Sequence, residues 1–315
     1  MDRTQGPRPH HPGAVREARA GAGTAAPAAL AVVSMLSVQL GDALSVPLFD
    51  EVGTAGAAWL RLTFGALVVL VVARPRRLSL DRRQWCLVAA LGVTSAGLSL
   101  AFLAALQRLP LGTTVALEFL GPLAVALWRA PRRAALAWPL VALGGVVLLT
   151  QPGGGALPRT GVLLALVAAA CWAGYIVLTA RVGSALPGFG GLALSMPVAA
   201  LCAAPWGAPQ VLGHVTPGLL LTGALLALLF PVLPSVLELV VLRRLPSGSF
   251  ATLMSLEPAL AVVVGAVVLG QLPTVLQLAG IALVVVAGAA VTGPTRTVVA
   301  PGDRVLVAPA ALQPA

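Results

Sequence analysis

The stretch LQRLPLGTTVALEFLGPL at residues 106–123 returns in altered form as LRRLPSGSFATLMSLEPA at residues 242–259. The two copies align without a gap, in a register that pairs Arg108 with Arg244 and Pro122 with Pro258. We call this constant offset of 136 residues the repeat register and apply it along the whole chain. Each copy joins one long apolar run to the next, interrupts its own helical pattern with proline, and carries one carboxyl group, Glu118 or Glu257. An apolar half that occurs twice, each time with a broken and charged helix, is typical of secondary transporters.

Composition indicates a membrane protein. Hydrophobic residues make up 58% of the chain and charged residues only 10%, whereas a soluble domain has roughly 25% charged residues. The net charge of +10 does not indicate a nucleic-acid partner, because the arginines lie in short clusters between apolar runs rather than on a basic face with interleaved aromatics. We therefore expect a polytopic protein surrounded by a lipid bilayer.

Apolar runs of about 20 residues, the length that crosses a bilayer, recur along the chain. They predict an all-α membrane protein with ten transmembrane helices near 27–48, 55–73, 85–107, 112–129, 134–151, 161–180, 185–206, 216–241, 249–270 and 274–292. The segments 1–26 and 293–315 are predicted to be disordered cytoplasmic tails.

The arginines indicate the direction of the spans. With both termini in the cytoplasm, every arginine except Arg61, Arg108 and Arg159 lies on the cytoplasmic side, as the positive-inside rule requires. Because each half has an odd number of spans, the second half, 161–292, is upside down relative to the first, 27–151. The sequence therefore predicts two inverted five-helix repeats that enclose a central cavity.

Five ionisable residues fall within the predicted spans: Asp42, Arg61, Glu118, Glu238 and Glu257. A charge at the middle of a membrane helix costs at least about 2.5 kcal/mol on insertion scales. Such residues normally face a cavity or a charged partner, so each of the five is a candidate functional residue.

Asp42 and Arg61 lie on consecutive spans, each about 9 Å below the outer surface at 1.5 Å per residue. The pair predicts a structural ion pair, or alternatively a site at which Arg61 receives a substrate carboxylate. Gln39 shares the first span with Asp42 and is a further polar candidate.

Glu118 and Glu257 lie close to Pro122 and Pro258 in the two copies of the repeat. Each proline leaves a backbone carbonyl without its helical donor, which is tolerated at this depth only beside a cavity or packed protein. Both glutamates are predicted to bind substrate or to carry protons, with a structural hydrogen-bonding role as the alternative.

Glu238 has two interpretations. It lies near Arg243 and Arg244 and predicts an ion pair at the end of a span. Pro231 and Pro234 are expected to kink the same helix, which makes Glu238 a candidate for an inner gate.

Trp172 and Tyr175 lie in adjacent turns of one span. They suit a small amphipathic ligand or, equally, packing between helices.

Gly144, Gly145 and Gly280 are expected to permit close helix contact. The cysteines have neither metal-ligand spacing nor an obvious pairing, and no metal or other cofactor is expected.

Several stretches carry a resemblance to a known family. They are VALEFLGPLAVAL at 115–127, TLMSLEPALA at 252–261, SVQLGDALSVPLFDEVGTAGAAWLRLTFGAL at 37–67 and ACWAGYIV at 170–177. With the ten spans, they resemble the EamA-type carriers of the drug/metabolite transporter superfamily, and most closely the RhtA-like threonine/homoserine exporters. The resemblance covers roughly residues 27–292.

The resemblance implies an exporter in the inner (cell) membrane that moves threonine, homoserine or related small amino acids and is driven by protons. We expect it to be a monomer or weak dimer. The chain departs from the family pattern at Asp42, where a small neutral residue is more usual, and at Val46, where many relatives carry lysine. Both departures bear on the identity of the ligand.

The sequence leaves three candidate functions to weigh against its residues. The first is a secondary exporter of amino acids that works by alternating access. The second keeps the transporter and changes the cargo to a drug, an aromatic metabolite or a nucleotide sugar. The third, an intramembrane enzyme, is not supported, because the sequence has no paired-histidine metal motif and no serine–histidine arrangement at a shared depth. The sequence also lacks the glycine-rich phosphate loop of an ATP-driven pump.

Overall fold

A computed structural model describes residues 12–73, 80–129, 137–150, 157–186, 190–242, 244 and 247–292. The elements in these ranges are all helical. They are α1 (Pro12–Ser45), α2 (Leu48–Ala73), α3 (Arg82–Leu106), α4 (Leu111–Glu118), α5 (Leu120–Arg129), α6 (Ala137–Thr150), α7 (Arg159–Ala185), α8 (Gly190–Leu212), α9 (Pro217–Ala227), α10 (Leu233–Leu242), α11 (Ser247–Met254), α12 (Glu257–Leu269) and α13 (Val275–Thr292). A π-helical turn, Leu228–Val232, joins α9 to α10.

Length and apolarity suit most of these helices to a bilayer. Seven stretches of the described chain are long and apolar enough to cross one: Ala26–Ser45, Leu48–Val72, Arg82–Leu106, Leu111–Trp128, Arg159–Ala185, Pro217–Glu238 and Thr252–Leu269. Two further apolar helices, Ala137–Leu149 and Val275–Ala290, are shorter. The predicted class, an all-α membrane protein, is confirmed.

Helix α1 begins at Pro12 rather than near residue 27. The prediction of a disordered tail over 1–26 is therefore corrected for residues 12–26. The segment AVREARAGAGTAAPAAL at 14–30 is rich in alanine, a strong helix former, and a proline at the first helical position loses no hydrogen bond. Residues 1–11 and the predicted tail at 293–315 lie outside the described residues.

Both copies of the duplicated stretch fold as a short helix, a break and a second helix. Helix α4 ends at Glu118 and α11 ends at Met254, two positions that the repeat register pairs. Pro122 and Pro258 follow the two breaks, where a missing backbone N–H removes an intrahelical bond. The repeat in the sequence is thus also a repeat in local structure.

The helices of the two halves pack directly against one another. Contacts join α2 to α8, α3 to α7, α6 to α13, α4 to α12 and α1 to both α10 and α12. Two glutamine side chains from the second half also bind backbone of the first. The Gly56 N–H donates to Gln210 Oε1 at 2.9 Å, and the Leu111 N–H donates to Gln271 Oε1 at 2.8 Å. These bonds satisfy amides left free by a kink in α2 and by the start of α4.

Glycines set the distance between α6 and α13. A Cβ atom on Gly145 would lie 2.8 Å from the carbonyl oxygen of Gly280, and a Cβ atom on Gly280 would lie 2.7 Å from that of Gly145. The neighbouring Gly144 has more room, since a Cβ atom there would lie 3.9 Å from its nearest neighbour, on Leu283. Close contact is confirmed for Gly145 and Gly280, but Gly144 does not contribute to it in the same way.

This difference predicts opposite outcomes for adjacent substitutions. Gly145→Ala should destabilise the protein by about 1–3 kcal/mol, because the added methyl group overpacks the α6–α13 contact. Gly144→Ala should be neutral or stabilising by up to about 1 kcal/mol, because alanine is the better helix former. Thermal unfolding of the purified variants in detergent measures both effects. Equal melting temperatures for the two variants would contradict the packing described here.

Candidate functional site

The site is built around the guanidinium group of Arg61 on α2, a side chain that is only 3% exposed. Arg61 Nη1 donates to Asp42 Oδ1 of α1 at 2.5 Å, and Arg61 Nη2 donates to Ser99 Oγ of α3 at 3.1 Å. The ring of Phe230 stacks on the same group, with its centroid 4.6 Å from Arg61 Cζ. Within the ranges that the structure describes, Arg61–Asp42 is the one ion pair, which confirms the predicted pairing.

A second polar contact lies one turn along α1 from Asp42. Gln39 Nε2 donates to Glu257 Oε1 at 3.3 Å. Gln39 is 1% exposed and Glu257 is 5% exposed. Because residues three apart on a helix share a face, Gln39 and Asp42 bring this contact beside the ion pair. The contact joins the first half of the chain to the second.

Glu118 completes the group from the end of α4. Its carboxyl lies close enough to Asp42, Glu257 and Arg61 to interact with their charges. The structure therefore brings together four of the predicted site residues that carry charge. We call the whole group the central cluster, and it consists of Gln39, Asp42, Arg61, Ser99, Glu118, Phe230 and Glu257.

Three atoms of the central cluster are buried and have no hydrogen-bond partner within the chain: Arg61 Nε, Gln39 Oε1 and Glu257 Oε2. An unsatisfied buried polar atom costs about 1–3 kcal/mol, and most such atoms in native proteins are paired. Here one donor and two acceptors lie in the same group. Such a set complements a molecule that carries both an acceptor, such as a carboxylate, and a donor, such as an ammonium group.

Glu238 lies on α10 next to Ser34 of α1. It does not form the predicted ion pair with Arg244, whose side chain is exposed, and Arg243 lies outside the described residues. Glu238 and Arg244 are six positions apart and do not share a helix face, and α10 ends at Leu242, before Arg244. The carboxyl of Glu238 also interacts with the charge of Glu257, so it faces the interior rather than the end of the span.

The two aromatic residues of α7 have different surroundings. Trp172 packs edge-on against Phe119, at the break between α4 and α5, with ring centroids 6.3 Å apart and an interplanar angle of 74°. Tyr175 packs with an apolar cluster that includes Leu91 and lies within reach of the charge of Glu238. For Trp172 the structure favours the packing alternative.

Two members of the central cluster, Ser99 and Phe230, do not emerge from the sequence alone. The predicted kink at Pro231 and Pro234 is confirmed as the π-helical turn, in which Phe230 has φ −155° and ψ 120°. Ser37 Oγ of α1 donates to the Leu229 carbonyl at 2.7 Å within this turn. Proline in a helical run signals such a break, but no local pattern says which side chain the break directs inward.

Over the described residues, no three histidine, cysteine, aspartate or glutamate side chains are arranged to hold a metal ion. The cysteines Cys86, Cys171 and Cys202 are all free.

Known proteins match both the sequence and the fold. Residues 159–293 match the EamA-like transporter family. The threonine/homoserine exporter RhtA of Escherichia coli (strain K12) is 39% identical over 263 residues, covering 82% of this chain and 88% of that exporter. The threonine/homoserine exporter RhtA of Salmonella typhimurium is 37% identical over 263 residues, with the same coverage. A crystal structure with 18% sequence identity aligns at a TM-score of 0.55 and covers 83% of this chain and 96% of its own, a likeness of fold alone.

A chain of apolar helices with this match is a membrane transporter of the EamA type, in the drug/metabolite transporter superfamily. Within that superfamily it belongs to the family of the RhtA exporters. The family resemblance read from the sequence is confirmed.

The ion pair generates a prediction about stability. Asp42→Asn and Arg61→Gln should each destabilise the protein by about 3–5 kcal/mol, because each leaves one buried charge without its partner. The double variant should lose less than the sum of the two single variants, because no charge is then left unpaired. Equilibrium unfolding in detergent of the four proteins measures the coupling, and additive losses would show that the two charges do not interact.

Proposed function

We propose that this protein is a secondary transporter in the cell membrane that exports small amino acids such as threonine and homoserine by alternating access, coupled to protons. The observation that carries the proposal is the set of three unpaired buried atoms, Arg61 Nε, Gln39 Oε1 and Glu257 Oε2. Together they match the two charged groups of an α-amino acid. The names of the relatives supply the same substrate class.

Each residue of the site has a proposed role. Arg61 Nε binds the carboxylate of the substrate, and Gln39 Oε1 with Glu257 Oε2 binds its ammonium group. Asp42 holds Arg61 in place. Glu118 and Glu257 exchange protons, since ionisable groups inside a membrane commonly form such relays.

The inner part of the path has its own candidates. Glu238 lies next to Ser34 and within reach of Tyr175, which suits the predicted inner gate. Trp172 acts through its packing on Phe119, which supports the break beside Glu118.

Burial of the site supports the proposed alternating access. Asp42, Arg61 and Glu257 are each no more than 5% exposed, so a substrate reaches them only when helices move apart. Carriers built from two repeats achieve this by rocking one group of helices against the other around a fixed site. The relatives are named as exporters, which fits a carrier rather than an enzyme.

The proposed architecture has ten spans in two inverted repeats, 27–151 and 161–292, with both termini in the cytoplasm. Several helix contacts support it because they occur in matching pairs. In the repeat register, the contact of α3 with α7 corresponds to that of α10 with α1, and the contact of α4 with α7 corresponds to that of α11 with α1. The repeat register also pairs α2 with α8 and α6 with α13, and the two helices of each pair contact each other. Equivalent helices are expected to meet in this way near a two-fold axis.

A reconstituted transport assay tests the function. Proteoliposomes that contain the protein should move threonine or homoserine when a pH gradient is imposed. Replacing both intramembrane carboxyl groups, in the variant Glu118→Gln/Glu257→Gln, should reduce this proton-driven movement at least about tenfold. The control Glu51→Gln, which alters an exposed carboxyl at the start of α2, should leave transport unchanged.

Two results would count against the proposal. Unchanged transport in the double variant would overturn the assigned roles of the carboxyl groups. Resistance of overexpressing cells to a broad panel of dyes, without resistance to homoserine, would indicate the alternative cargo of a drug or other metabolite.

The inverted repeat predicts opposite sidedness for two equivalent positions. Arg108 and Arg244 are both exposed and are paired in the repeat register. In a variant without the native cysteines, Arg108→Cys should react with a membrane-impermeant maleimide added outside intact cells. Arg244→Cys should react only after the cells are opened, because the second half is inverted. Labelling of both from the same side would exclude inversion.

A further inference from the structure

We propose that Phe230 is a positioning residue for substrate recognition: its ring fixes the Arg61 guanidinium so that the unpaired Nε edge is presented to a carboxylate. The inference rests on the proposed function and adds to it a residue that acts through Arg61 from the other half of the chain. It also predicts which chemical group of the substrate depends on this residue.

The Arg61 guanidinium is restrained at two of its three nitrogens, Nη1 and Nη2, and on one face. A guanidinium is planar and presents its N–H groups in a fixed fork. Asp42 binds at Nη1 and Ser99 binds at Nη2, while the Phe230 ring covers one face at 4.6 Å. Nε is the nitrogen with no hydrogen-bond partner at all, so the edge that carries its N–H is the one that an incoming anion would satisfy most.

The backbone around Phe230 is itself held in place. Ser37 Oγ binds the preceding carbonyl, on Leu229, at 2.7 Å. Two glycines let the π-helical turn approach the first half of the chain closely. A Cβ atom on Gly41 of α1 would lie 3.3 Å from Phe230 Cβ, and a Cβ atom on Gly65 of α2 would lie 3.1 Å from Pro231 Cδ. The ring is therefore placed on Arg61 by packing against both α1 and α2.

The stacking connects the two halves at the site. Arg61 belongs to the first half, and Phe230 belongs to the second. A movement of the π-helical turn away from α2 would free the guanidinium face and allow the side chain to turn. Carboxylate binding is therefore strongest when the two halves are arranged as they are in this structure.

The test separates positioning from simple packing. Phe230→Leu removes the aromatic face, Phe230→Tyr retains it, and Phe49→Leu removes a buried ring in the apolar core at the start of α2. Phe230→Leu should raise the KM for threonine transport about tenfold, in line with the loss of a desolvated cation–π contact, with Vmax close to that of the wild type. Phe230→Tyr and Phe49→Leu should keep the wild-type KM.

A binding measurement identifies the group involved. Threonine and threonine amide, which lacks the carboxylate, are titrated into the purified proteins. Phe230→Leu should weaken binding of threonine and leave binding of the amide unchanged. If Phe230→Leu does not fold, Ser99→Ala removes another restraint on the same guanidinium and should show the same selective loss.

The outcomes distinguish this inference from the proposed function. A wild-type protein that binds no amino acid overturns the proposed function and this inference with it. A wild-type protein that binds threonine while Phe230→Leu binds it equally well overturns the inference alone. Equal weakening of threonine and its amide also overturns it, because the ring then has only a packing role.

Discussion

A buried guanidinium is the constraint on which the rest of this structure depends. An arginine in the middle of a membrane helix costs at least about 2.5 kcal/mol on insertion scales, and Arg61 is 3% exposed. The ion pair with Asp42, the hydrogen bond to Ser99 and the stacking on Phe230 offset that cost. Arg61 lies on α2 and its partners lie on α1, on α3 and in the π-helical turn. The contacts of this one charge therefore hold four segments of the chain together. Arg61 is also the positive charge that faces the carboxyl groups of the central cluster.

The duplicated breaks place the carboxyl groups at the same point. Glu118 ends α4 and Glu257 begins α12, so each lies where a helix is interrupted. Free backbone groups at membrane depth are tolerated only beside a cavity or packed protein. A helix break beside a carboxyl group therefore has to face the protein interior. The buried contact between Gln39 and Glu257 is one such case.

Much of the fold can be read from the sequence because bilayer spans depend on local composition. The helical class, the two breaks and the kink at Pro231 all follow from apolar runs and from proline chemistry. The Asp42–Arg61 pair follows from shared depth on consecutive spans. Phe230 and Gln210 could not be predicted, because each acts on a residue more than a hundred positions away, and no local period encodes such a partner. The predicted pairing of Glu238 with Arg244 is wrong for the same reason: Glu238 lies beside Ser34, about two hundred positions away in the sequence.

The order of the helices repeats between the two halves, but the residues of the central cluster do not. In the repeat register, Arg61 corresponds to Pro197, Gln39 corresponds to Tyr175 and Phe230 corresponds to Thr94. In the proposed transporter, a ligand between the halves would meet the cation of Arg61 on one side and acceptor oxygens on another. The repeat register pairs neither Arg61 nor Glu257 with a residue of like charge. A pocket with exact two-fold symmetry would hold one molecule equally well in either of two poses related by the axis. In the proposed transporter, the unlike anchors of the central cluster would break that degeneracy, so the cargo would have a single pose and would begin every turnover facing the same way.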